Sequence, residues 1–379
     1  MPHLTVATGM ADSSKSKQME IVADIRRLLV TSGIALSVGW LFLSLNFPAP
    51  FLMGSLFGVW ICGAVVPSAR RHLGVARWFH VPVILGLGVL MGENFRADIL
   101  VNITQWWPTV STMVITTIVV SLIGYVFLSR VRGYEPRLAL LCCLPGGQAE
   151  AVALAREVVD KAYVVALFHL VRVVIVFVTM PLLMAFIEGK AATEASNLNL
   201  RSMPGLLDLP VAEIISFIAV GVGGYGLARL CRVPMAHLLG PMGLSALLHV
   251  MGVIDLPRIQ EFVLLAQLAI GGGVGAQLAR VPLREVFVYL RDASLNTMVI
   301  LLAYLACAVA FTVFGGMDFL TIWLAFVPGG LYEVTLLALV FGFDVAFTAF
   351  HHTIRVMLIF FTMPTLATRL GRHSKDSDR

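Results

Sequence analysis

The chain is 379 residues long, 59% hydrophobic and 13% charged, with a mean hydropathy of +0.90 and a formal net charge of +5. Soluble globular domains run near half apolar and a quarter charged, so this composition excludes them and points to an all-α polytopic membrane protein. The positive charge lies in loops and tails between apolar runs and forms no basic stripe interleaved with exposed aromatics, so it reads as membrane topology and no nucleic-acid partner is expected.

Residues 1–27 form a polar N-terminal tail ending in Arg26-Arg27. The first apolar run, 28–45, leads straight into more membrane and reads as a first helix rather than a cleaved signal. Further apolar segments follow at 50–67, 80–95, 108–129, 137–155 and 162–187, and then at 210–230, 236–254, 262–279, 293–316, 319–341 and 345–368. A crossing helix needs about 20 apolar residues, and runs such as 162–187 supply them. The only long polar connection, 188–209, divides the segments into two sets of six, a first repeat over 28–187 and a second over 210–368, before a polar tail at 369–379. The five cysteines, Cys62, Cys142, Cys143, Cys231 and Cys307, lie in or beside apolar segments without CxxC spacing and read as small buried hydrophobes.

The two sets share a motif in one register. At a constant offset of 183, Pro145, Gly146, Gly147 and Glu150 align with Pro328, Gly329, Gly330 and Glu333. The same offset aligns His169, Arg172 and Thr179-Met180-Pro181 with His352, Arg355 and Thr362-Met363-Pro364, and Gly88 and Gly92 with Gly271 and Gly275. Pro48 and Gly54 match Pro234 and Gly240 at an offset of 186. Groups that are costly in a hydrophobic setting therefore occur twice, the mark of an internal duplication of the kind that builds transport pathways.

Lys and Arg placement bears on topology. If the Pro-Gly-Gly segment of each half is re-entrant, each half crosses five times, the second repeat is inverted and both termini are cytoplasmic. Only Arg96, Lys190, Arg201 and Arg258 then lie outside. Six full crossings per half would make the repeats parallel and the charge bias weaker. Either way, unwound backbone lies at membrane depth, where it is tolerated only if buried in protein or lining a wet cavity.

Pro145 and Pro328 end a helix, and the helix that starts after the glycines presents free N–H groups and a positive dipole end to an anion or to Glu150 and Glu333. Glu150 and Glu333 alternatively cap their own helices. His169 and Arg172 share one helix face, as do His352 and Arg355. An Arg in mid-membrane needs a cavity or a carboxylate, and the Glu of its own repeat is the nearest candidate. Two readings stay open: a structural ion pair holding the broken segment, or a substrate and coupling-ion site in which Arg takes an anion while Glu, with His, exchanges a proton. Gln148, Gln267 and Gln277 are secondary pathway candidates, as are Glu93 and Asn94; Gly86, Gly88, Gly92 and Gly271 to Gly275 mark either close helix packing or further breaks. His351 aligns with Phe168 and stands outside the repeated pattern.

Through its LPGGQAE and VPGGLYE segments, its paired His-x-x-Arg and TMP stretches, and APFLMGSLFG with HLLGPMG, the chain resembles the AbrB-type family of bacterial membrane proteins over about residues 28–368. Members of that family carry the labels ammonia monooxygenase and regulator. The resemblance implies a polytopic inner-membrane protein grouped with inverted-repeat secondary transporters. A copper monooxygenase needs several suitably spaced His ligands, and a DNA-binding regulator needs a groove-reading module; neither pattern is in the residues. The expectation is a non-enzymatic secondary transporter of a small organic anion or amino-acid-like solute, with H+ or Na+ as coupling ion and no other cofactor or metal. A membrane sensor built on the same Glu/His/Arg network is the alternative, a metal-dependent monooxygenase is a lesser one should Glu150, His169, Glu333 and His352 converge on a metal, and a homodimer is a candidate assembly.

Overall fold

The computed structural model describes the backbone of residues 4–97, 99, 103–282 and 286–377. Within these it describes every side chain except those of residues 4–19, 149, 150, 190–192, 195, 196, 363, 364 and 366–377. The elements in order are α1 (Leu4–Ser44), α2 (Pro50–Val65), α3 (Arg77–Gly92), α4 (Trp107–Val126), α5 (Pro136–Cys143), α6 (Gln148–Val158) and α7 (Ala162–Ser202). After the connection come α8 (Val211–Leu230), α9 (Ala236–Val250), α10 (Gln260–Ala279), α11 (Phe287–Gly315), α12 (Phe319–Phe326), α13 (Leu331–Phe341) and α14 (Val345–Ser377). No strand occurs among the described residues. Seven segments, Glu20–Ser44, Trp107–Val131, Ala162–Gly189, Val211–Leu230, Gln260–Ala279, Phe287–Gly315 and Val345–Thr362, are long and apolar enough to cross a bilayer. The protein is an all-helical, multi-pass membrane protein.

The amphipathicity is that of a membrane interior turned inward. Along α4, Ile115, Ile118, Leu122 and Ile123 point outward, while Thr109, Met113, Thr116, Thr117 and Gly124 are buried. Apolar side chains facing out suit lipid, and hydroxyls facing in find partners within the protein. Thr117, for example, meets the Tyr304 hydroxyl at 2.6 Å.

The chain divides into two compact units. Unit 1 holds the residues up to Val83 together with Leu264–Val281. Here α1 and α2 approach so closely that a β-carbon on Gly54 would lie 2.5 Å from the Gly39 backbone. The α10 segment lies on α2, with Gly271 against Leu52 and Ser55 and Gly275 against Leu56. Ser55 shares its hydroxyl between the carbonyls of Leu52 and Gln267, at 2.9 and 3.1 Å.

Unit 2 holds Ile84–Val263 and the chain from Pro282 onward. Its α8 and α9 make the same kind of contact, Gly224 against Gly240. The end of α3 lies on α9, with Gly88 against the Leu238 carbonyl and Gly92 against Ser245, whose hydroxyl donates to the Val89 carbonyl at 2.8 Å. The repeated glycines thus serve close helix packing, and both α3 and α10 run through them unbroken.

The turns that enter α2 and α9 share a backbone conformation. Asn46 and Ala49 have φ of 52° and 45°, Arg232 and Met235 have 55° and 48°, and these are the only non-glycine residues with positive φ among the described residues. A left-handed conformation costs such residues roughly 1–2 kcal/mol each. Two turns with the same costly sites, 186 residues apart, carry the sequence match of Pro48 with Pro234 into backbone geometry. The polar connection differs from an irregular linker: α7 continues as helix to Ser202 beyond a break at Gly189, where φ is 77°.

Candidate functional site

The site lies in unit 2, where each Pro-Gly-Gly interrupts a helix. The first break separates α5 from α6 at residues 144–147 and the second separates α12 from α13 at residues 327–330. Half-helices of 8 and 11 residues reach only about 12 and 16 Å, so neither alone spans a hydrocarbon core of about 30 Å.

Each break leaves carbonyls at the end of its first half-helix without intrahelical donors. Pro145 has no N–H for the carbonyl of Leu141, four residues back, and Pro328 has none for Leu324. His169 Nε2 lies 3.1 Å from the Leu141 oxygen, and His352 Nε2 lies 2.9 Å from the Leu324 oxygen. A carbonyl can only accept, so each Nε2 carries the proton and takes the place of the amide that proline lacks. The guanidinium one turn on completes the clamp. Arg172 donates to the Leu144 carbonyl at 2.5 Å, and Arg355 donates to Phe326, Val327 and Gly329 at 3.0, 3.0 and 3.4 Å. Each Arg also donates to Nδ1 of its His, at 3.4 Å for His169 and 2.7 Å for His352. A cation at a helix C-terminus meets the negative end of the dipole, which helps to offset the burial of Arg172 and Arg355, 3% and 1% exposed.

In the second repeat this arrangement departs from the expected Glu–Arg pairing. Glu333, 3% exposed, makes none of the ion pairs found among the described residues. Its carboxylate lies over the start of α13, where a β-carbon on Gly330 would fall upon it, and it is held by its own amide and by Tyr332 while Oε2 has no partner among the described residues. The second glycine of the motif therefore leaves room for the carboxylate three residues on. The Glu150 side chain lies outside the described residues. The histidines also differ from free proton carriers. Nε2 is held by a carbonyl and Nδ1 faces a guanidinium, so both rings are fixed in the neutral Nε2–H form, with no lone pair left over for a proton or a metal.

The breaks are alike in their clamps and unlike in their backbones. Gly146 and Gly147 have φ of 137° and 60°, a region that favours glycine, whereas Gly329 and Gly330 have no positive φ and are needed for space beside Val334 and Glu333. Each turn packs on the long helix of the other half. A β-carbon on Gly146 would lie 3.0 Å from Ile359 and 3.9 Å from Arg355 Nε, and one on Gly329 would lie 3.3 Å from Val176. Arg355 Nε itself has no hydrogen-bond partner among the described residues.

A family model described as "Transition state regulatory protein AbrB" matches residues 56–371. The chain belongs to the AbrB family. Among AbrB relatives, "Putative regulator AbrB" of Escherichia coli (strain K12) is 26% identical over 348 residues, covering 92% of this chain and 97% of that protein. "Uncharacterized protein YhjN" of Bacillus subtilis (strain 168) is 23% identical over 313 residues, covering 80% and 81%. The AbrB match thus embraces both clamps and nearly the whole membrane region.

Of the secondary candidates, Gln148 is half-buried at the start of α6 and Gln277 is exposed. Gln267 is fully buried in unit 1, with both polar atoms of its carboxamide unpartnered among the described residues. Glu93 and Asn94 bind Arg258 at the end of α3. His351 donates from Nδ1 to the Phe347 carbonyl at 2.8 Å and reaches the Thr109 hydroxyl at 2.9 Å. Sequence reasoning missed Tyr304, whose ring lies 6.0 Å from the Arg355 guanidinium carbon, and Asp292, a carboxylate only 1% exposed. A lone tyrosine deep in the apolar run of α11 was the available signal for the first. Asp292 follows Arg291 in a stretch that read as loop.

Proposed function

We propose that the protein is a secondary active transporter that moves a small organic anion or amino-acid-like solute across the inner membrane, coupled to H+ or Na+, by alternating access between two inverted repeats with both termini cytoplasmic. The observation that carries this reading is the pair of buried helix breaks, each clamped by a buried Arg and packed against the long helix of the other half. Broken helices at membrane depth are tolerated where they bound a solute pathway, and their free N-termini suit anionic groups. Glu333 supplies a buried ionisable group that makes no ion pair among the described residues, so its charge can be exchanged against a proton or against a cation arriving with the solute. The buried guanidiniums suit the solute's anionic end.

The family description and the name of the E. coli relative favour a second reading, a membrane regulator or sensor using the same buried network. A monooxygenase is disfavoured by the donor set, because both nitrogens of His169 and His352 are already engaged. The test is uptake into proteoliposomes under imposed proton or sodium gradients, across a panel of carboxylates and amino acids. Gradient-dependent accumulation of one solute supports transport; folded protein that accumulates none, yet changes its protease sensitivity with a solute, would support the sensor.

A further inference from the structure

A cavity of about 590 Å³ opens at the loop end of unit 2, lined by Arg132, Tyr134, Lys161, Tyr289 and Asp292, with Glu135 and Asp160 at its exposed rim. Its base is a latch. Asp292, 1% exposed, receives Arg132 at 2.7 and 2.9 Å, the Tyr134 hydroxyl at 3.1 Å and Arg291 at 3.3 Å. Two guanidiniums thus share one buried carboxylate, and Lys161 adds a third cation, its ammonium 3.5 Å from the Tyr289 hydroxyl. Burial, with Asp292 beside it, pushes the Tyr134 phenol up, so it stays a hydrogen-bond donor. Leu138 of α5 also lines the cavity, seven residues before Pro145, which places the cavity about 10 Å along α5 from the first helix break.

The latch is not part of the duplicated framework. At the offset of 183, Asp292 corresponds to Thr109, Arg132 to Gly315, Tyr134 to Met317 and Lys161 to Asp344. A buried ion pair that the other half does without is not required to build the half. Replacing such a pair by apolar residues is often neutral for stability, so its retention here calls for another role.

We propose that this cavity is the entry site of the transport pathway and takes the carboxylate of a small organic anion, which replaces Asp292 as the partner of Arg132 and Tyr134. Arg291 stays on Asp292 during the exchange, so no buried charge is stranded. The incoming carboxylate gains Arg132, the Tyr134 hydroxyl and Lys161, while Tyr134 and Tyr289 flank its carbon chain. The latch opens only for a group that can substitute for Asp292, which makes it a selectivity filter ahead of the helix breaks. The assignment rests on the transport reading for its direction, and binding without a gradient tests it separately.

The experiment is calorimetric titration of the full-length protein in detergent with succinate, with neutral succinamide and with sodium chloride at matched ionic strength. Wild type is expected to bind succinate and neither control. Asp292→Asn frees Arg132 and Tyr134 and is expected to bind succinate roughly tenfold more tightly, a gain that loss of a merely structural ion pair would not give. Lys161→Gln, exposed and outside the latch, and Arg132→Gln are each expected to bind roughly tenfold more weakly. Succinate heats equal to those of chloride, or equal affinity in wild type and Lys161→Gln, would overturn the proposal. Weaker binding by folded Asp292→Asn would overturn it too; if that variant does not fold, the Lys161→Gln comparison decides. Flux lost with succinate binding intact would count against transport alone, and flux intact without binding would count against this site alone.

Discussion

Replacing Arg355 by alanine removes the donors that hold three carbonyls at the second helix break, two of them at 3.0 Å. A hydrogen bond to a charged group contributes about 1.5–3 kcal/mol, so the two good bonds together are worth roughly 3–6 kcal/mol. Arg172 makes one carbonyl bond and a longer contact to its His at 3.4 Å, so its alanine variant should cost roughly 1.5–3 kcal/mol. Relief from burying a guanidinium offsets part of each loss, and it does so similarly for both because both are almost wholly buried. At about 2 °C per kcal/mol for a chain of this size, Arg355→Ala should melt roughly 6–12 °C below wild type in detergent, and Arg172→Ala roughly half as far below. Equal melting temperatures for the two variants, or a larger loss for Arg172→Ala, would refute the carbonyl-clamp reasoning.

Three further outcomes are expected. His352→Gln keeps a donor and an acceptor for Leu324 and Arg355, so it should melt closer to wild type than His352→Phe, which leaves the Leu324 carbonyl unpaired at a cost of about 1–3 kcal/mol; thermal denaturation of the pair checks this. Gly330→Ala puts a methyl group where the Glu333 carboxylate lies, so uptake should fall far more than the melting temperature, and equal losses would count against it. Glu93→Gln removes the carboxylate that receives Arg258 while Asn94 still receives it, so it should lower the melting temperature only slightly, and a loss as large as that of Arg355→Ala would count against this.

The helical membrane class and the positions of both helix breaks were legible in the sequence, because apolar runs of crossing length and a duplicated Pro-Gly-Gly need no tertiary information. The clamp was legible only in its residue types. That Pro145 and Pro328 each orphan a carbonyl four residues back follows from the chain alone, but that His169 and His352 fill the gap depends on how α7 and α14 pack against α5 and α12. In the second repeat Glu333 and Arg355 do not pair among the described residues for the same reason: spacing in sequence gave proximity, while the helix-end carbonyls, which carry no side-chain signature, compete for Arg355. Asp292 escaped notice because burial at a helix start is set by Arg132 and Tyr134, which are about 160 residues away in the chain.

The central claim, coupled transport through the clamped helix breaks, is tested most directly with Glu333→Gln in proteoliposomes loaded with a transported solute. On the proposed reading, Glu333 carries the coupling charge, whereas solute binding depends on the guanidiniums. The variant should therefore still exchange solute across the membrane at equal concentrations but lose accumulation driven by a proton or sodium gradient. Accumulation by Glu333→Gln equal to that of wild type would contradict the account.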